Sequence, residues 1–544
     1  MEAQLTLVQL EATPASQLPA AETKPPKKLV FGRPAPKADT SESNTPVSNP
    51  KLKPINRSQL KMKTVDFENL LGPFHPARGI WKLMDGIDFS AYNDNISSQV
   101  GEKGRPSTSP KMLASVFVYA YSLSISSARE IERQMEHEPG LVWLCGDIPI
   151  NHHTLSDFRV AHKEALDDLF KNVLAALDGQ GLIDLSQVMH DGTKIQAHAG
   201  AGTFRRKQTI EQRLEKAKQL IKEMGDPRED NPTVRTRKQA AETRAAREQV
   251  EKLEAAMIEI EQLSKAAKTK KADKVRVSVE EPQARRMKHG NHGGIMPSYN
   301  AQISTESSNK IIVGVHLSQS SSDVQSLARS VDEVEQSCGV SPDQVVVDGG
   351  YISQSNVIEM EKRTVELIGP QQNVNARRSA SAISAGIDPA FSVQFFIIGQ
   401  DGKTIECPAG KKLTAKTKSK KRGNEYQVYW AEGSDCGNCE FQKKCCPRTP
   451  DRGRRVSILV KGNKQVKSFR EKMESDRSKE IYKKRGPVAE FPNAWIKDKL
   501  GVRKFRLKGL AKAGMETMWA CLTYNIQQWM RLCWRKQAVV ECAA

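Results

Sequence analysis

Acid is the scarce charge in this 544-residue chain: 64 Asp and Glu stand against 84 Lys and Arg, a formal net charge of +20. That imbalance favours a polyanionic partner, either nucleic acid or an acidic membrane surface. Long apolar runs are missing as well, and mean hydropathy is −0.56. The longest uncharged stretch, 112–128, is about the minimum for a membrane span, but it holds five serines and two tyrosines and reads as a buried bundle helix. Residues 1–14 carry acids and no basic segment, so no secretory signal is expected, and the reading is of a cytoplasmic protein with no membrane partner. Cysteine is sparse, ten in all, yet five fall within 407–446. Clustering of that kind points to a local metal site and away from a disulfide framework.

What is present changes character along the chain. Residues 1–66 are rich in Pro, Lys, Ser and Thr, with few large apolar groups, and are expected to be a disordered tail. The stretch 67–180 reads as a helical domain: Pro110 opens a helix through Tyr121, a second spans Ser127 to His137, and Thr154 can cap a third. From 181 to 375 strands enter. Gln187 to Asp191 reads as a strand ending in an acid. Tyr299, Ala301 and Ile303 alternate with polar residues as in a half-buried strand, and Ile311 to Leu317 returns as its hairpin partner. Asp323 can cap the helix that follows; Val345 to Val347 then forms a fully apolar strand before Asp348. A helical hairpin at 205–265, within an insertion of about 205–285, interrupts this α/β pattern. Residues 376–470 form a basic, Cys-rich insertion: 411–422 has seven basic residues and no acid, and 401–480 carries 21 basic against 11 acidic residues. Helices return over 471–538.

Asp191 and Asp348 each follow strand sequence, and in open α/β sheets ligands gather at the carboxyl ends of strands. Two such acids, with a third from a helix start, can hold two divalent ions about 4 Å apart, one activating an attacking water or 3′-hydroxyl and the other steadying the leaving oxygen. Asp-Gly after a strand is also ordinary turn chemistry. Glu490 lies near a helix start set by Pro487 and Pro492, with Lys497 seven residues on and Tyr482 and Arg485 just before. A carboxylate for metal beside Arg and Lys for phosphate makes a coherent site edge; a solvated helix end is the plainer reading.

In order along the chain, these residues resemble the bacterial insertion-sequence transposases of the DDE class, in the branch with a helical N-terminal domain and a Tyr-x-x-Arg…Glu…Lys signature. Tyr482, Arg485, Glu490 and Lys497 stand in that pattern, Asp191-Gly192-Thr193-Lys194 resembles the first acid motif, and Asp348-Gly349-Gly350-Tyr351 resembles the second. Gly349 replaces the alanine common there. Gly104-Arg105-Pro106, Tyr119 to Ser122, Arg129 to Glu132 and His153 to Arg159 resemble the N-terminal domain, Ser298 to Gln302 the following strand pair, and Arg506 to Leu510 with Tyr524-Asn525 the closing helices. The resemblance spans roughly 67–535. It implies an RNase H-like mixed sheet, a need for Mg²⁺ or Mn²⁺ held by Asp191, Asp348 and Glu490, and DNA contacts from Tyr482, Arg485, Lys497 and Lys194. It further implies double-stranded DNA substrates, the terminal inverted repeats and a target, and a homo-oligomer on DNA. An inactive DNA-binding descendant would keep the basic surface without needing the acids, and a nuclease that cuts without joining would use the same metal chemistry.

Cys436-x-x-Cys439, with Cys407 upstream and Cys445-Cys446 downstream, can form a tetrahedral Zn²⁺ site from Cys407, Cys436, Cys439 and Cys445; free buried thiols are the equal alternative, and Cys446 competes for the last position. His152 and His153 read as a helix entry or a surface pair. His190 must face away from Asp191. Cys145, Cys338, Cys521, Cys533 and Cys542 read as packing or unpaired thiols.

Overall fold

The computed structural model describes residues 64–93, 96, 106–224, 235–266, 274–290, 294–370, 374–421, 423–449 and 452–535. The expected tail, up to residue 63, with Gly104, Arg105 and Cys542, lies outside them. Val65–Ala544 is one compact unit. Among the described residues no helix is long and apolar enough to cross a membrane.

A mixed sheet organises the site. Strand β1 (Val188–Gln196) lies between β3 (Ile295–Glu306), antiparallel, and β5 (Gln344–Val346), parallel; β6 (Glu366–Ile368) extends the β5 side. On its other edge β3 pairs with β2 (Arg285–Lys288) through its first half and with β4 (Ile312–Ser318) through its second. The β3–β4 turn is built by Glu306, whose carboxylate accepts the backbone N–H groups of Ser308, Asn309 and Ile311 at 2.8–2.9 Å. Strand β3 was expected to be half buried, but its residues Pro297 to Glu306 are all buried. Helix Leu327–Cys338 covers the face that carries Ser304 and Gln302, so these polar side chains bond inside the protein.

The N-terminal helices and the closing helix share one hydrophobic core. Helix Pro110–Ser122, expected from its proline, packs on Leu510–Trp529, with the Phe117 and Trp519 rings 5.4 Å apart. Asn525 of the closing helix accepts the Ile312 N–H and donates to the Ile312 carbonyl, both at 2.8 Å, and so covers the edge of β4. Two expected caps are corrected. Helix His152–Ala161 is capped by Asn151, which accepts the His153 N–H at 2.7 Å, and Thr154 lies inside the helix. Asp323 opens only a 3₁₀ turn, Asp323–Gln325, before the next helix; its side chain turns to the sheet.

The expected helical hairpin is present as Lys207–Met224 and Arg235–Ala266, joined by Ile210, Leu253 and Ile260 in a small core. The segment was expected to be a basic, Cys-rich insertion, with no strands assigned to it; it builds a sheet of its own. Strands β7 (Ile397–Ile398), β8 (Thr404–Glu406), β9 (Lys412–Lys421), β10 (Asn424–Ala431) and β11 (Arg455–Lys461) run antiparallel in that order. Leu413, Tyr429 and Val456 bury one face against the thiols.

Candidate active site

Asp191 was expected at the end of its strand. It lies in the middle of β1, opposite Ile303 on β3. Parallel pairing with β5 stops at Met189–Val346, so the sheet opens beside Asp191 and the apolar strand delivers Asp348 two residues beyond its end. The Asp348 carboxylate accepts the Gly350 N–H at 2.7 Å, which fixes the turn, and a Cβ on Gly350 would come 2.9 Å from that oxygen. Glu490 closes a π-helical turn, Gly486–Glu490, ahead of helix Phe491–Asp498. Such turns are rare and gather at functional sites. Val488 and Ala489 of the turn are buried in the same core cluster as Val345 to Val347, which anchors Glu490 to the strand that carries Asp348.

Arg485 links two of the acids, Asp191 and Glu490. Its guanidinium lies 3.6 Å from Asp191 and 3.8 Å from Glu490. The arginine side chain is 13% exposed and that of Glu490 68%, so the pair runs from the interior to the surface. Burial pushes the Asp191 carboxyl up to about 6; Arg485 opposes the rise, while the charges of Asp348 and Glu490 add to it. Asn493 donates to Asp191 at 3.0 Å. It lies one helical turn past Glu490, a spacing that could have flagged it. Arg485 Nη1 and Asn493 Oδ1 are buried without a hydrogen-bond partner.

The expected DNA contacts flank this group. Burial lowers the Lys497 ammonium, with Arg503 and Lys194 acting in the same direction and Asp191 against them. Lys194 reaches the Lys288 carbonyl at 3.3 Å. The Arg485 guanidinium carbon lies 6.0 Å from the centre of the Tyr482 ring, and that ring packs partly buried against the core behind Asp348.

His190 faces away from Asp191, as expected. It bonds Ser304, Gln302 and Ser330, each at 2.9 Å, and burial pushes it down to about 4, so it is neutral. Behind the acids this network leads to a carboxylate that sequence reasoning missed. Asp323 accepts from Asn300 at 2.7 Å and from Gln302 at 2.9 Å, and Gln302 accepts the Tyr351 hydroxyl at 2.6 Å. The close approach depends on Gly192, where a Cβ would sit 2.5 Å from Gln302 Nε2 and 2.7 Å from Asp323 Oδ1. Burial raises the Tyr351 hydroxyl, and the charges of Asp323, Asp191 and Asp348 raise it further. Nothing local marked Asp323, since its partners come from β3.

The five clustered cysteines converge on a separate cavity in the second sheet's core, and the nine described cysteines are free. Cys145 and Cys521 are buried, and Cys338 and Cys533 half-buried. His152 bonds Glu132 at 2.7 Å and lies against His153, ring centres 4.2 Å apart and tilted by 35°. Among the described residues no three His, Cys, Asp or Glu side chains are arranged so that they could hold a metal ion.

Two family models match the chain. One, described as a transposase DDE domain, covers residues 406–530, which hold the thiol cluster, Arg485, Glu490 and Asn493. The other, described as a transposase domain (DUF772), covers the N-terminal helices, residues 65–161. Together the two matches indicate an insertion-sequence transposase of the DDE class. No curated protein and no solved structure matches it. The first model begins beyond Asp191 and Asp348, so the match does not reach those two acids.

Proposed function

We propose that the transposase cuts and joins DNA ends at a triad of Asp191, Asp348 and Glu490, by phosphoryl transfer that needs Mg²⁺ or Mn²⁺. The observation that carries this reading is Arg485, a half-buried cation lying between Asp191 and Glu490 where Asp348 adds to the negative charge. The order β4-β3-β1-β5-β6, with two antiparallel pairs followed by two parallel ones, supports an RNase H-like core.

The donor set suits hard divalent ions: carboxylate oxygens, crowded enough that burial and mutual charge push one of them up to about 6. Asp191, Asp348 and Glu490 would hold the ions, which supply an activated hydroxyl nucleophile and neutralise the leaving oxygen. The side chains must draw closer than they stand. Arg485 has a buried N–H without a hydrogen-bond partner, and once cations take the carboxylates its fork is free for a phosphate oxygen. Asn493 holds Asp191 in one orientation. Lys497 and Lys194 carry the positive charge onward for the DNA backbone, and Tyr482 backs Arg485. We assign end binding to the helical region 67–180, chemistry to 181–375 with 471–538, and backbone contacts to the basic insertion 376–470. Pairing of two ends implies more than one copy on DNA.

The test is cleavage of a duplex bearing the element's own end, with Mg²⁺ or EDTA, by wild type and by Asp348→Asn. Ion-dependent nicking lost in the variant is the expected result, followed by covalent joining of the labelled end to target DNA. Nicking without joining would make the protein a nuclease. Binding without nicking in both proteins would make it an inactive DNA-binding descendant.

A further inference from the structure

The second sheet must hold a strand that no ordinary core explains. β9 carries Lys412, Lys416, Lys418, Lys420 and Lys421, and beyond Leu413 it is exposed or half-buried throughout. A sheet with so small a buried face needs a staple beyond apolar packing. Five thiols reach its inner side from three separate turns. Cys407 lies in the tight turn from β8 to β9, where Gly410 returns its N–H to the Cys407 carbonyl at 2.8 Å and the Lys411 N–H points at the Cys407 sulfur at 3.3 Å. Cys436 and Cys439 bracket the end of a short helix, Gly433–Gly437, and the Arg454 N–H points at the Cys436 sulfur, also at 3.3 Å. Cys445 and Cys446 follow in a third turn, and one cavity is lined by all five.

These two backbone N–H groups hold the Cys407 and Cys436 side chains at the cavity. The side chain of Arg454 donates to the Cys445 carbonyl at 3.0 Å, which brings a fixed positive charge to the cluster. Left as thiols, the group offers poor hydrogen-bond partners around a cavity. Bound to a soft, tetrahedral ion, it becomes a cross-link between three turns.

We propose that Cys407, Cys436, Cys439 and one thiol of the Cys445–Cys446 pair bind a structural Zn²⁺ that clamps the lysine-rich sheet. Each ligating thiol releases its proton to solvent as it binds. The thiols must turn inward to do so, since no three are yet placed to share an ion. The clamp has a mechanical consequence. At the far end of the β9–β10 hairpin, Asn424 donates to Gln354 at 2.9 Å, six residues past Asp348. Fixing the turns of this sheet therefore fixes a row of lysines that ends beside the chain leaving the candidate active site.

The proposal is independent of the carboxylate triad and is tested without activity. The full chain, purified from zinc-containing medium without a metal-affinity step, is expected to hold about one zinc per molecule by elemental analysis. Cys436→Ser, Cys439→Ser and the double variant Cys445→Ser/Cys446→Ser should each lose most of that zinc; Cys533→Ser should keep it. Exchange of the wild-type protein into Co²⁺ should give thiolate-to-cobalt charge-transfer bands and intense visible bands of tetrahedral geometry. That measurement stands even where a serine variant fails to fold. A wild-type protein with little zinc and no thiolate–cobalt bands would overturn the proposal, as would full zinc retention by Cys439→Ser.

Discussion

The carboxylates and the thiols are assembled by opposite routes. Asp191, Asp348 and Glu490 lie up to 299 residues apart in sequence and share one region because β1 and β5 lie side by side and a buried turn packs against them. The thiols fall within 407–446 and meet through three short turns. One group is imposed on the chain by a large shared core, and that core can hold like charges close together because it is stable without them. The other group lines a small core, where the proposed zinc would also serve as a fastening. The lesson is that the first cluster should lose function without losing fold, and the second should lose both together.

The sharpest way to break that contrast is at the acids. Asp191→Asn, Asp348→Asn and Glu490→Gln are each expected to slow strand cleavage by about 10³-fold or more in single-turnover assays, while DNA binding and thermal midpoint change little. A large loss of stability in all three would erase the distinction. Next comes the glycine pair. Gly192→Val should drive a side chain into Gln302 and Asp323 and cost about 1–3 kcal/mol or more in urea unfolding, while Gly437→Ala, with nothing within 4 Å, should stay within about 0.5 kcal/mol. Asn493→Ala sharpens the comparison further: it removes the donor to Asp191 and should slow cleavage about 10–100-fold, with Asn493→Asp no rescue because it adds a carboxylate.

The smallest effect concerns pH and the sheet. His316 on β4 is held neutral, pushed down to about 3 chiefly by burial, with His190 and Arg329 adding. Its folded value lies below the ordinary 6.5, so the unfolded chain takes up the proton first as pH falls. Stability from this group is therefore complete above about 6.5 and declines toward 3. His316→Leu should flatten the fall in urea midpoint between about pH 7.5 and about pH 4.5. An unchanged slope would assign the acid sensitivity of the sheet to other groups.

Much of this was legible from local patterns. Apolar residues followed by an acid and glycine marked Asp191 and Asp348, Pro110 marked the start of its helix, and the hairpin at 205–265 declared itself by period. Family resemblance drew attention to Glu490 with Arg485. Local reading failed where the deciding partner was remote. Asp323 looked like a cap because caps are local, yet its bonds run to Asn300 and Gln302 on β3. Strand β3 looked half buried because polar residues alternate along it, but a helix covers the polar face and those side chains find partners inside. The lysine-rich strand did not read as a strand at all, because only Leu413 marks its buried side.

The sequence by itself determined the basic charge, the strand-acid-glycine motifs, the helical N-terminal stretch and the thiol spacing, all of which depend on neighbours within a few residues. Tertiary structure decided that Arg485 lies between Asp191 and Glu490, that Asp323 bonds to residues of β3, and that a charged strand completes a second sheet. Those choices depend on which surfaces the folded chain buries against each other, and burial is settled between segments hundreds of residues apart.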